Sequence, residues 1–120
     1  MSDRERLQGT WRQVEAQSDI ADEHGVDEFG TDVLTTFEVD RFTVHRTDGT
    51  VLLHGTFVLH ADNASDWIDA IGPDAGRVLP ARYQLSEREL VFVVGDPDRP
   101  ASLDRQPTQV LRRLVRVPLP

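Results

Sequence analysis

Residues 41–60, RFTVHRTDGTVLLHGTFVLH, decide the fold. Asp48-Gly49 separates two alternating runs, and Asp-Gly readily adopts the positive φ angles of a tight hairpin turn. With those two residues as the loop, Thr47 faces Thr50, His45 faces Leu52, Val44 faces Leu53 and Phe42 faces Gly55. Side chains alternate along a strand, so Phe42, Val44, Leu53, Phe57 and Leu59 share one face. The other face is mixed: Thr43, His45, His54, Thr56 and His60, with Leu52 and Val58.

Working outward, residues 9–17 (GTWRQVEAQ) alternate as a first strand, preceded by one short helical turn over 3–8. Residues 18–30 (SDIADEHGVDEFG) are acidic and long enough to carry a short helix or to act as a flap over an opening. A second strand covers 33–39 and leads into the hairpin. Beyond it come a polar loop at 61–65, a short strand around 67–71 and a turn at 72–76. A sixth strand is expected over 77–85, with Pro80 at a bulge, an edge or the strand start because it donates no ladder bond. ELVFVV (89–94) is an apolar seventh strand, 95–107 is a proline-rich loop, and an eighth strand runs over 109–117. Eight short strands joined mostly by tight turns predict a closed antiparallel up-and-down barrel, which removes exposed edges. A two-sheet β-sandwich is the alternative, because strand count and spacing do not separate the two.

The chain has 120 residues, enough for a single domain with one core. No apolar run approaches the roughly 20 residues of a membrane span. MSDRERLQG lacks an apolar signal core, so a cytoplasmic location is expected. There is no cysteine, which removes disulfides, thiolate metal sites and cysteine nucleophiles. The net charge of −8 argues against a nucleic-acid partner. All 13 basic residues are arginine, which excludes a Schiff-base lysine and a lysine-bearing phosphate loop.

Leu7-Gln8-Gly9-Thr10-Trp11 resembles the G-x-W opening of lipocalins and the wider calycin group. The chain as a whole resembles an uncharacterised lipocalin-like domain family of bacterial proteins. The matching pieces are LQGTWR (7–12), DRFTV (40–44), GTFVL (55–59), WID (67–69), GRVLPARYQLSERELVFVV (76–94), DRP (98–100) and LVR (114–116). The resemblance covers nearly the whole chain in order and implies the fold; the family carries no established activity. It also implies that Trp11 packs against a basic side chain of the last strand, Arg116 or, in another register, Arg113, closing one barrel end. The chain departs from the family in the acidic segment 18–32 and in having Val93 or Val94 where cysteine is common.

His45, His54 and His60 share a face, but His60 lies six residues beyond His54, roughly 20 Å along a strand, too far for joint ligation. They read as outer-wall histidines. Asp19, Asp22, Glu23, His24, Asp27 and Glu28 fit neither a calcium loop nor a helical histidine pair, and read as a solvated face. No metal and no cofactor is expected, and no nucleophile–base motif is present. If Trp11 points into the barrel, strict alternation carries Gln13 and Glu15 inward, where Glu15 becomes the candidate acid–base group with Tyr83 as partner. A strand bulge would instead turn Glu15 to solvent, or an arginine would pair with it. Phe37, Phe42, Val44 and Leu53, with Phe57, Tyr83, Leu90 and Phe92, either line a ligand cavity or fill the barrel. The expectation is a module that binds a small, largely apolar or amphipathic molecule, with residues 18–32 near its mouth. An isomerase or cyclase using the same cavity is the first alternative, and a protein-interaction domain with a filled core is the second.

Overall fold

The computed structural model describes residues 2–17, 33–70, 75–95, 98–106 and 109–118. Its organising hairpin joins β3 (Arg41–Arg46) to β4 (Val51–His60). The loop holds three residues, with Arg46 N–H donating to the Thr50 carbonyl at 2.8 Å and Gly49 N–H to the Arg46 carbonyl at 2.9 Å. Gly49 takes a φ of 94°, the left-handed position that ends a three-residue loop. His45 therefore opposes Val51, where a two-residue loop would have set it against Leu52. The β-bulge that follows absorbs the offset, so Val44 faces Leu53 and Phe42 faces Gly55 as alternation requires. The apolar face survives because the bulge restores the register before the core begins.

The remaining strands are β1 (Gly9–Gln17), β2 (Val33–Glu38), β5 (Ala64–Asp69), β6 (Val78–Leu85), β7 (Glu89–Val94) and β8 (Val110–Arg116). Each pairs antiparallel with its neighbour in sequence, and β1 also pairs with β8, closing an eight-stranded up-and-down barrel. That last pairing distinguishes the barrel from a sandwich, since no strand is left with an open edge.

The start of β5 and the place of Pro80 differ from expectation. β5 begins at Ala64 rather than near Trp67, because residues 61–65 contract into a 3-10 turn over Ala61–Asn63. Asp62 and Asn63 take φ angles of 60° and 57°, which their short polar side chains tolerate, and the chain reverses within three residues. Pro80 sits inside β6, opposite Asp66 on β5. Its carbonyl accepts Gly95 N–H at 2.8 Å just beyond the last β6–β7 pair, Ala81 with Val94, so the missing N–H falls at the end of that ladder.

One end of the barrel is filled. Helix α1 (Asp3–Leu7) is started by a capping box in which the Ser2 side chain accepts from Glu5 N–H and the Glu5 carboxylate accepts from Ser2 N–H. The helix drives Leu7 into the floor beside Trp11, Phe37 and Leu90, all buried. Trp11 Nε1 donates to the Leu7 carbonyl at 2.8 Å, which ties the helix to the first strand. Arg116, opposite Trp11 in the ladder, lays its guanidinium 4.3 Å from the indole centroid. It donates to the carbonyls of Gln8 and Glu87, each at 2.9 Å, and to that of Arg6. One side chain thus joins β8, the helix exit and the β6–β7 turn. Tyr83 adds a further strut, its hydroxyl donating to Asp3 Oδ2 at 2.6 Å.

Candidate functional site: a one-ended cavity

The other end of the barrel is hollow. A cavity of about 290 Å³ opens toward the ends of β5, β7 and the starts of β6 and β8. Its apolar wall comes from alternate positions of several strands: Phe42 and Val44 of β3, Leu53 of β4, Leu79 of β6, Phe92 and Val94 of β7, and Leu114 of β8. Trp67 is the partition between the two halves. Its ring stacks on Phe92 with centroids 5.3 Å apart and meets Phe42 edge-on at 5.2 Å on the cavity side. On the floor side it touches Phe37 at 5.6 Å and Phe57 at 5.8 Å. Four phenylalanine rings in contact with Trp67 hold the cavity base in place, each pair adding about 0.5–1.5 kcal/mol beyond area burial.

Polar groups are few and placed on opposite walls. Gln13 of β1 and Arg112 of β8 meet across the barrel seam, with Arg112 Nη1 donating to Gln13 Oε1 at 2.9 Å. Burial holds the Arg112 guanidinium below the usual arginine range. Asp69 and Arg77 stand at the β5–β6 rim, joined through the backbone by Asp69 N–H donating to the Arg77 carbonyl at 3.2 Å. Thr35 completes the polar lining.

Of the side chains singled out in the sequence, Gln13, Phe42, Val44, Leu53 and Phe92 come together around this cavity. Phe37, Phe57 and Leu90 point into the barrel but pack in the filled half, while Tyr83 is bound to Asp3 beneath α1. Glu15 leaves the interior altogether. The β1–β8 register slips between Gln13 and Glu15, so Val14 is the extra residue of a bulge and Glu15 opposes Arg113 on the outer face. There Arg113 bridges two carboxylates, Glu15 and Glu89, at 3.0 Å each. The Glu15–Tyr83 pairing is therefore not formed, because one bulge and one helix contact turn the two groups to different sites.

His45 accepts or donates in a 3.0 Å bond with Thr36, and His60 pairs with Asp66 at 2.8 Å; each has a local partner on the outer wall. Among the described residues, no three metal-ligating side chains converge. The acidic segment 18–32 lies outside the described residues; β1 ends and β2 begins at the cavity end of the barrel.

Alternation also places the residues of β8. Once Arg116 is set against Trp11, positions 114, 112 and 110 follow inward, and all three line the cavity. Leu79 and Arg77 follow in the same way from Tyr83, two and three steps of alternation back along the expected strand over 77–85. Nothing in the sequence assigns a face to Trp67 and Asp69, which lie in a six-residue strand starting after a 3-10 turn. No protein-family model matches the chain, and a search of curated proteins found no match.

Proposed function

We propose that the chain is a lipocalin-like barrel that holds a small, largely apolar molecule in its hollow end. One observation carries this reading: an apolar chamber closed below by Trp67 and the α1 floor and open above. A chamber near the lower end of ligand-site volumes, walled mainly by aromatic and aliphatic side chains, gains affinity by removing apolar ligand surface from water. The rigid aromatic base supports tight binding, since little ordering entropy is lost when the ligand enters a preformed site. The cavity argues against a domain with a wholly filled core acting through its surface alone. An acid–base enzyme built on Glu15 and Tyr83 has no supporting geometry, because neither side chain lines the chamber.

Native mass spectrometry of the protein from its own source, before and after organic extraction, tests the reading. A discrete extra mass that extraction removes is the expected result. A bare protein mass that persists after incubation with lipophilic extracts overturns it. Glu15→Gln is expected to leave ligand occupancy unchanged.

A further inference from the structure

Buried polar atoms in a folded chain nearly always find a hydrogen-bond partner, because an unpaired one forfeits its bonds to water. The Trp67 indole is an exception. The residue is 7 % exposed, its Nε1 is buried, and among the described residues no group accepts from it. Trp11 shows the ordinary case in the same barrel, with Nε1 donating to the Leu7 carbonyl at 2.8 Å. The surroundings of Trp67 explain the difference. Phe37, Phe42, Phe57 and Phe92 pack on its ring, and a phenyl face is only a weak acceptor. Ser65, two residues back on β5, holds a buried hydroxyl that also lacks a partner, so the two groups do not meet. The same indole borders the chamber.

From these features we infer that the molecule held in the chamber carries a carbonyl oxygen, and that this oxygen accepts from Trp67 Nε1. The inference rests on the binding reading above and adds one functional group to an otherwise apolar ligand. An indole N–H donates and never accepts, so its partner must be an acceptor. A carbonyl suits it better than a hydroxyl, because it brings no proton that would need a further acceptor among phenyl rings. The bond acts mainly on selectivity. A carbonyl that enters an apolar chamber and finds no donor loses its bonds to water, at about tenfold or more in affinity. With Nε1 as donor that loss is offset, and the indole gains a partner of its own. Size sets the skeleton. A cavity of roughly 150 Å³ accepts benzene, so about 290 Å³ suits two fused rings.

The test uses the full chain and a matched pair of probes, α-tetralone and tetralin, which differ by a carbonyl in place of a methylene. The chain has two tryptophans, so a proton–nitrogen NMR spectrum carries two indole signals. The Trp67 indole proton is expected downfield in the tetralone complex relative to the tetralin complex, while that of Trp11 stays in place. Calorimetric titration is expected to show tetralone binding within about threefold of tetralin or tighter, despite its stronger hydration. In Trp67→Phe the ratio of tetralone to tetralin affinity should fall about tenfold. The two-probe comparison is made in the unaltered protein, so it stands even if that variant fails to fold. A Trp67 signal that coincides in the two complexes, or a larger deficit for tetralone, overturns the carbonyl assignment and leaves the binder intact. If neither probe binds while the native protein still yields an extractable mass, this inference alone is overturned; with no such mass, the binding reading falls as well.

Discussion

Replacing Arg116 should destabilise the barrel more than any other single change to a half-exposed side chain. Its guanidinium lies 4.3 Å from the Trp11 ring centroid and bonds three carbonyls, two from α1 and its exit and one from the β6–β7 turn. The cation–π contact contributes about 1 kcal/mol, and hydrogen bonds from a charged donor about 1.5 kcal/mol or more where they are partly shielded. The bond to Glu87 is exposed, and water replaces it at little cost. The bonds to Gln8 and Arg6 are partly buried and carry most of the remainder. Arg116→Met keeps the apolar stem and removes the fork, so the expected loss is about 3 kcal/mol, or on the order of 10 °C in Tm. Arg116→Lys keeps the charge over the indole but cannot reach three carbonyls, and should recover about a third of that loss. Urea titration followed by far-UV circular dichroism measures both, with the m-value expected to stay constant. A loss below about 1 kcal/mol for the Met variant would refute the argument that this side chain ties α1, β8 and the β6–β7 turn together.

Three further outcomes follow from single residues. Val39 holds a φ of 59° in the β2–β3 turn, where a β-branched residue is strained, and Gln8 clamps it by accepting from its N–H and donating to its carbonyl. Val39→Gly should stabilise the protein by about 1 kcal/mol in the same urea assay, and a destabilisation would show that the turn is not strained. At Gly55 an added Cβ would stand 1.9 Å from the Ile68 carbonyl oxygen, a backbone atom that cannot move aside without shifting β5. Gly55→Ala should therefore cost about 2 kcal/mol or more and lower Tm, and a neutral result would mean that the two strands separate easily. Tyr83 is the only tyrosine, and burial followed by its bond to Asp3 raises its pKa above the usual value. Its neutral form is favoured by folding, so the stability it confers is full below about pH 10 and is lost as pH rises beyond that. Absorbance at 295 nm should show ionisation of Tyr83 delayed until alkaline unfolding; titration near pH 10 in the folded state would contradict the Asp3 contact.

The hairpin over 41–60 was legible because two independent signals agreed, a turn dipeptide and a period-2 pattern, and the bulge beside the loop left both intact on the core side. ELVFVV over 89–94 was equally legible, since an apolar run of that length bounded by turn residues has few alternatives. Trp11 and Arg116 now face each other across the β1–β8 ladder. What a pattern of alternation misses is any residue that breaks it. Val14, one extra residue in β1, reverses Glu15, and the 3-10 turn at Ala61–Asn63 resets the phase of β5 and with it Trp67 and Asp69.

By itself, then, the sequence determined the number of strands and the apolar face of the β3–β4 hairpin, because these depend on local periodicity and on turn residues a few positions apart. The β1–β8 pairing that makes a barrel rather than a sandwich came from the tertiary structure. Only the tertiary structure decided where the barrel is filled and where it is hollow. That division depends on Leu7, Trp67 and Arg112 meeting partners from distant strands, and on two irregularities that no local pattern records. Phe37 and Phe42 sit on adjacent strands and read alike in the sequence. One packs into the floor and the other lines the chamber, because closure of β8 onto β1 and the docking of α1 fill the barrel from one end only.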